Sequence, residues 1–160
     1  MAAGSRLVWA GYIAFGWGLI FAGISFYWGA GGSLGVDTVW GSATTGVEQS
    51  PGLRAAVWVT GVMKVVAALL AIALASDRSW RLPRRALIVL GSAAFAILSL
   101  YGGVNVFAEA LTAAGVIRPT SVDWKPLLWH LYVWDMSFLV WGILFGVATW
   151  NYTRRPMELT

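Results

Sequence analysis

The sequence contains no cysteine and one histidine, and only 11% of its 160 residues are charged. The absence of cysteine excludes disulfides, thiolate metal sites and a cysteine nucleophile. Soluble domains carry about 25% charged residues, so the scarcity of charge indicates a protein that lies in a membrane. With one histidine and acids scattered along three segments, the sequence predicts no metal site and no cofactor. The glycine run at residues 29–32 also lacks the Gly-Lys-Ser/Thr of a phosphate-binding loop.

Long apolar stretches make up most of this chain. Hydrophobic residues make up 59% of it, and its mean hydropathy is +0.72. A helix of about 20 apolar residues crosses a hydrocarbon core of about 30 Å. Four stretches are that long: residues 7–28, 55–76, 86–107 with an extension to 114 allowed, and 127–150. The sequence therefore predicts an all-α fold in which residues 1–160 form one four-helix transmembrane bundle.

The basic residues predict the orientation of this bundle. Seven of them flank the N-terminus, the second connection and the C-terminus, namely Arg6, Arg78, Arg81, Arg84, Arg85, Arg154 and Arg155. Arg54, Arg118 and Lys125 flank the opposite ends of the spans. Because cytoplasmic loops carry the excess of Lys and Arg, both termini are predicted to be cytoplasmic and the long connection at residues 29–53 to be outside. The net charge of +4 thus reports membrane orientation and not nucleic-acid binding.

Nine of the eleven basic residues are Arg, which favours a bacterial source and hence the cytoplasmic membrane.

Small residues recur on one face of each of the first two spans. In the first span the stripe consists of Gly11, Ala14, Gly18, Ala22, Ser25 and Gly29. In the second span the small residues Thr60, Gly61, Ala67, Ala68, Ala71 and Ala75 surround Lys64. Small residues let helices approach closely, so both faces are predicted to be helix–helix contacts. Lys64 is therefore expected to point into the bundle.

Polar side chains inside the spans are the candidates for function. Asp135 lies within the fourth span, where a carboxylate costs at least about 2.5 kcal/mol, and Lys64 lies at the same predicted depth. An ion pair between them is the simplest prediction, with a register-fixing or a proton-exchanging role. His130 lies about 140° from Asp135 on a regular helix, which excludes a simple dyad. Asn105 and Glu109, four residues apart, are expected to pair with each other.

All these polar residues lie in the predicted outer half of the spans. This asymmetry predicts a polar cavity that opens to the outside or to the outer leaflet, above an apolar plug. The long connection at residues 29–53 is either a flexible linker or a lid over that cavity. Tyr27 and Trp28 are expected at the membrane interface, whereas the deeper Trp134 either packs, faces lipid or lines the cavity.

Two short motifs carry a resemblance to a known family. The run Tyr27-Trp28-Gly-Ala-Gly-Gly32 and the pair Trp134-Asp135 resemble those of small four-span bacterial membrane proteins, common in actinobacteria and without an assigned function. Members of that family tend to read Trp-Asp-Pro in the last helix, whereas this chain has Met136 after Asp135. The resemblance implies a four-span fold, draws attention to Trp28 and Asp135, and transfers no activity.

The resulting hypothesis is a membrane-embedded site for a lipophilic small molecule. Asp135 and Glu109 are the candidate catalytic residues, suited to isomerisation or proton-initiated cyclisation of an isoprenoid-like substrate. The candidate ligand-binding residues are Lys64, His130, Asn105, Tyr101, Trp134, Trp28 and Tyr27. Two alternatives stay open: an accessory or scaffold subunit of a membrane complex, and a small proton-coupled transporter. Expected partners are the bilayer, a lipophilic small molecule, and either a further copy of the chain or another membrane protein.

Overall fold

The computed structural model describes residues 8–41, 50–76 and 82–155. Its helices are α1 (Val8–Gly29), α2 (Asp37–Trp40), α3 (Pro51–Ala75), α4 (Arg84–Ala113), α5 (Trp124–Trp129) and α6 (Asp135–Thr153). A π-helical turn, His130–Trp134, joins α5 to α6. Helices α1, α3, α4 and the continuous segment Trp124–Thr153 are each long and apolar enough to cross a membrane. The predicted all-helical, four-span fold is therefore confirmed.

The predicted bounds agree with these helices to within a few residues. The third span follows the longer alternative, since α4 continues without a break through Gly102 and Gly103 to Ala113. Leu7, at the start of the predicted first span, lies outside the described residues. So do Arg6, Arg78 and Arg81, which contributed to the predicted orientation.

The small-residue stripe of α1 is the main helix contact of the bundle. All six of its predicted members are buried. A Cβ atom added at Gly11 would lie 2.7 Å from the Ala75 Cβ atom, and one at Gly18 would lie 2.9 Å from the Ala68 Cβ atom. Because the two backbones approach this closely, α1 and α3 pack antiparallel along their whole common length. The predicted face of α1 is thus confirmed. The predicted face of α3 is confirmed in part, because Gly61, Ala68, Ala71 and Ala75 are buried whereas Ala67 is only partly buried and Thr60 is exposed.

The four spans form two closely packed pairs, α1 with α3 and α4 with α6. The pairs are joined chiefly through α1 and α6, where Trp141 Nε1 donates a hydrogen bond to the Ala14 carbonyl oxygen at 2.9 Å. Helices α3 and α4 contact each other over a much shorter stretch. A gap therefore exists between α3 and α4 on one side of the bundle.

The two ends of the bundle differ in how their interiors are packed. We call the end that carries α2 the loop end, and the end where α1 begins and α6 finishes the terminal end. A buried apolar cluster fills the terminal half; its members are Ala10, Ala14, Ala71, Ala73, Leu74, Leu87, Trp141, Leu144, Phe145 and Ala148. This cluster matches the predicted apolar plug. Arg155 completes that end by donating to the carbonyl oxygens of Leu74 and Ala75, which are left unpaired where α3 finishes.

Candidate functional site

The end of α1 turns the chain back over the loop end of the bundle. Gly31 has φ +97°, and Gly31 N–H and Gly32 N–H donate to the carbonyl oxygens of Trp28 and Tyr27. This pattern is a Schellman motif, which requires glycine at its left-handed position. The Trp28 indole then donates to the Leu34 carbonyl oxygen at 2.9 Å. The glycine run at residues 29–32 is therefore a helix stop that folds the following chain onto α1.

Helix α2 lies over the loop end and contacts the fourth span. The Thr38 hydroxyl oxygen accepts a hydrogen bond from Trp134 Nε1 at 3.1 Å, and the Val39 carbonyl oxygen lies 3.1 Å from His130 Nε2. Thr38 is 6% exposed. These contacts favour the lid interpretation of the long connection over the flexible linker, for the part of the connection that the structure describes.

An exposed ion pair between α2 and the start of the fourth span also holds α2 in place. Asp37 at the start of α2 pairs with Lys125 of α5. The hydrogen bond from Lys125 is the main reason why the pKa of Asp37 is lowered from its ordinary value. A lowered carboxyl pKa means that the pair is present at neutral pH and is lost only when the pH falls through that lowered value. The contact between α2 and α5 is thus insensitive to pH near neutrality.

The π-helical turn brings His130 against Asp135. Asp135 N–H donates to the His130 carbonyl oxygen, the i to i+5 bond of a π-helix, and His130 Nδ1 lies 2.7 Å from Asp135 Oδ2. Asp135 is 2% exposed. The prediction that these residues cannot form a dyad is wrong, because it assumed a regular α-helix through residues 130–135. A single wider turn changes their relative angle and makes them direct partners.

The contacts of His130 fix how many protons this pair holds. The Val39 carbonyl oxygen only accepts hydrogen bonds, so His130 Nε2 carries a hydrogen. The 2.7 Å contact between Nδ1 and the Asp135 carboxyl group then contains one further proton, located on either atom. His130 and Asp135 are therefore either imidazolium and carboxylate or both neutral, and the pair has no net charge in either form.

Two residues of α4 complete this cluster. Asn105 Nδ2 donates to Asp135 Oδ1 at 3.5 Å, and Glu109 Oε1 lies 3.9 Å from His130 Nδ1. Glu109 Oε2 is buried and has no hydrogen-bond partner among the described residues. The predicted pairing of Asn105 with Glu109 is wrong in this respect: both side chains reach across to the fourth span, because α4 and α6 are in contact. We call Asn105, Glu109, His130 and Asp135 the acid–histidine cluster.

Three members of this cluster could hold a metal ion. Glu109, His130 and Asp135 each offer one ligand atom, and these atoms lie within 4.8 Å of one another. The Val39 carbonyl oxygen would orient the histidine as carbonyl groups do behind metal-bound histidines. A divalent ion would have to replace the proton shared by Nδ1 and Oδ2. The argument that the acids are too scattered for a metal site is therefore wrong, since helix packing gathers residues that are distant in sequence.

Lys64 does not pair with Asp135. Its Nζ donates to the Ser25 hydroxyl oxygen at 2.8 Å and lies 5.8 Å from the ring centres of Phe21 and Phe138. The predicted ion pair is wrong because α3 packs on α1 while α6 packs on α4. The prediction that Lys64 points into the bundle is confirmed.

A cavity of about 680 Å³ separates the two helix pairs at the loop end. Lys64 and Ser25 lie on one wall, and His130 and Asp135 lie on the other. Most of the remaining wall is aromatic or aliphatic: Phe21, Ile24, Trp28, Val39, Trp40, Leu53, Ala56, Val57, Met63, Ala67, Ala94, Ile97, Leu98, Tyr101, Trp134, Phe138 and Trp141. The prediction of a polar cavity is therefore wrong in character, because apolar side chains make up most of the wall. Its size falls in the range of about 300–1,000 Å³ that is typical of small-molecule sites.

The cavity opens sideways between α3 and α4. Met63 of α3 and Ile97 of α4 both belong to its wall and are 65% and 66% exposed. Tyr101 stands at the same mouth and packs edge-on against Phe138, with ring centres 5.3 Å apart. In a bilayer this mouth faces the acyl chains, whereas α2 covers the loop end.

The predicted site residues divide into three groups. Lys64, Tyr101, Trp28, Trp134, His130 and Asp135 line the cavity. Asn105 and Glu109 lie behind it in the acid–histidine cluster. Tyr27 lies outside it, where its hydroxyl oxygen accepts a hydrogen bond from Leu34 N–H at 3.3 Å.

Sequence reasoning missed the contributions of α2 and of two phenylalanines. The backbone of Val39 contacts His130, and the Thr38 hydroxyl group contacts Trp134. Phe21 and Phe138 flank Lys64. A carbonyl group carries no residue-specific signal. Phe21 and Phe138 could have been found from their positions, since Phe21 lies one turn before Ser25 and Phe138 three residues after Asp135.

Comparison with known proteins identifies one family. A family model described as a protein of unknown function (DUF3995) matches residues 18–145, which is more than half of the chain. The match extends from the middle of α1 into α6 and so includes both cavity walls and α2. No curated protein and no solved structure matches the chain. The chain therefore belongs to the DUF3995 family, whose function is unassigned.

Proposed function

We propose that this protein binds a lipophilic small molecule in the cavity between its two helix pairs and takes it up from the bilayer. The observation that carries the proposal is the mouth between α3 and α4, which leads from the lipid-facing surface into an aromatic cavity of about 680 Å³. Concave apolar sites with a few convergent polar groups are the usual form of small-molecule sites. Here the polar groups are Lys64 and Ser25 on one wall and His130 and Asp135 on the other.

The enzymatic form of this proposal is acid–base isomerisation of an isoprenoid-like substrate. The pair of His130 and Asp135 holds one mobile proton at the cavity wall, and Glu109 lies behind it. Donating that proton to a double bond and removing one from a neighbouring carbon shifts the bond and restores the proton balance without a further reactant. Incorporation of deuterium from heavy water into a recovered ligand would test this form.

Cyclisation through a carbocation is a weaker form of the proposal. An ammonium group at Lys64 would repel the positive charge that forms when either route protonates a double bond, and in cyclisation this charge must persist until the ring closes. The accessory-subunit alternative loses the Lys64–Asp135 contact on which it relied. The buried apolar cluster argues against the transporter alternative, because it fills the terminal half of the described bundle and offers no polar path through it.

Filling the cavity is expected to remove the bound molecule. Ala94 lines the cavity, whereas Ala96 on the same helix is exposed toward lipid. Each is replaced by phenylalanine, and the protein is extracted with surrounding membrane in polymer discs. Mass spectrometry then compares the lipophilic molecules that copurify. We expect a species enriched over the bulk membrane in the wild type and in Ala96→Phe but depleted in Ala94→Phe.

The same experiment can contradict the proposal. Identical spectra for the wild type and a correctly folded Ala94→Phe would show that the cavity holds nothing specific. Circular dichroism checks folding, and Ala67→Leu fills the opposite wall if Ala94→Phe does not fold.

A further inference from the structure

Lys64 carries a charge for which the described part of the chain offers no acidic partner. The ion pairs among the described residues join Lys125 to Asp37 and His130 to Glu109 and Asp135. Lys64 Nζ has one hydrogen-bond acceptor, the Ser25 hydroxyl group, and two aromatic rings beside it. An ammonium group has three hydrogens to donate, so two of them remain for another acceptor.

The opposite wall of the cavity does not supply that acceptor. The pair of His130 and Asp135 is neutral as a unit, and the Asp135 oxygens already contact His130 and Asn105. A cation in an apolar, lipid-facing cavity is costly unless an anion accompanies it. The missing component of the cavity is therefore a negative charge beside Lys64.

The depth of Lys64 indicates what kind of molecule brings this charge. Ser25 lies one helical turn, about 6 Å, before the end of α1 at Gly29, and Lys64 itself lies near the middle of α3, so the ammonium group lies beside the loop half of α1 and inside the bundle. The cavity extends from there toward the terminal end along Ala67, Leu98 and Trp141, and toward the loop end along Leu53, Ala56 and Val57. An amphiphile with its polar head at Lys64 can therefore place its tail along this apolar wall.

We propose that Lys64 binds the anionic head group of a single-chain amphiphile, a carboxylate or a phosphate monoester, whose tail occupies the apolar part of the cavity. This proposal rests on the proposed function and names its ligand class. Ser25 holds the ammonium group in place, and Phe21 and Phe138 flank it as cation–π partners. Entry between α3 and α4 lets the head reach Lys64 while the tail moves sideways into the cavity.

Quenching of tryptophan fluorescence by brominated lipids tests this proposal. The purified protein in neutral detergent is titrated with dibrominated stearate, with its uncharged methyl ester and with the matching alkyl phosphate. Trp28, Trp134 and Trp141 line the cavity and report occupancy. Lys64→Met removes a charged hydrogen-bond donor to the head group, and such hydrogen bonds are about twice as strong as neutral ones. We therefore expect Lys64→Met to weaken binding of the anionic lipids about tenfold or more and to leave ester binding unchanged.

Two further variants serve as controls. Lys64→Arg keeps the charge and should retain preference for the anionic lipids over the ester. Arg118→Met removes one positive charge from an exposed position at the loop end, away from the cavity, and should behave as the wild type. Preference for stearate or for the alkyl phosphate then decides between a fatty acid and a phosphate lipid.

The possible results separate this proposal from the one before it. If the ester and the acids bind the wild type equally, anion recognition is wrong and the lipophilic cavity stands. If none of the three lipids quenches the cavity tryptophans, both proposals fail. This comparison within the wild type remains decisive even if Lys64→Met does not fold.

Discussion

Replacement of Asp135 by leucine is expected to lower the free energy of unfolding by about 3–5 kcal/mol, the cost of removing one partner from a buried ion pair. Asp135 is 2% exposed, and its carboxyl oxygens contact His130 and Asn105. Leucine would leave both of these polar groups without their partner at the centre of the bundle. The loss should therefore exceed that of any single change on the lipid-facing surface.

A double variant separates the loss of this pair from a general loss of packing. Asp135→Leu combined with His130→Leu removes both partners and should recover a substantial part of the stability. Met136→Leu in the same helix preserves volume and should cost less than about 1.5 kcal/mol. Unfolding in mixed micelles with sodium dodecyl sulfate, followed by circular dichroism, measures all three. Equal stability of Asp135→Leu and the wild type would refute the assigned partner.

Gly102→Ala is the second change with a large expected effect. A Cβ atom at Gly102 would lie 2.7 Å from the Asp135 carbonyl oxygen and 2.9 Å from the Leu139 Cα atom. These are backbone atoms, so relief requires α4 and α6 to move apart. We expect a destabilisation at the upper end of the about 1–3 kcal/mol typical of overpacking. Because Asn105 lies one turn further along α4, the same movement should separate it from Asp135.

Gly103 provides the matched control. A Cβ atom there would meet nothing closer than the Leu139 Cδ1 atom at 3.8 Å, an ordinary contact. Gly103→Ala should therefore be neutral or slightly stabilising, since alanine favours a helix over glycine by about 1 kcal/mol. The two variants are compared by unfolding in mixed micelles and by the accessibility of the His130 ring in NMR spectra. Equal behaviour of the two variants would contradict the close contact of α4 with α6.

The span layout and the packing of α1 on α3 could be predicted because they depend on local composition and helical periodicity. The lengths of the apolar stretches predict the four spans. Small residues at helical spacing identify the face on which Gly11 and Gly18 contact Ala75 and Ala68. Both features can be read from a single sequence, because each depends on residues that are close together along one helix.

The partners inside the site could not be predicted in the same way. His130 reaches Asp135 only because of the π-helical turn, and residues 130–134 contain no Pro or Gly to mark it. Lys64 was assigned to Asp135 by depth, yet depth does not say which helices are neighbours. The cavity separates these two side chains. Because α3 packs against α1, Lys64 donates its hydrogen bond to Ser25 instead.

The blocked terminal half of the bundle has a consequence for the membrane around it. In a bilayer, with Phe145 and Leu74 closing the space beneath the cavity, its side opening would face the half of the membrane at the loop end. Under the proposed function, a ligand made in the opposite monolayer would have to cross the bilayer before it could enter, so its supply would depend on lipid asymmetry as well as on affinity.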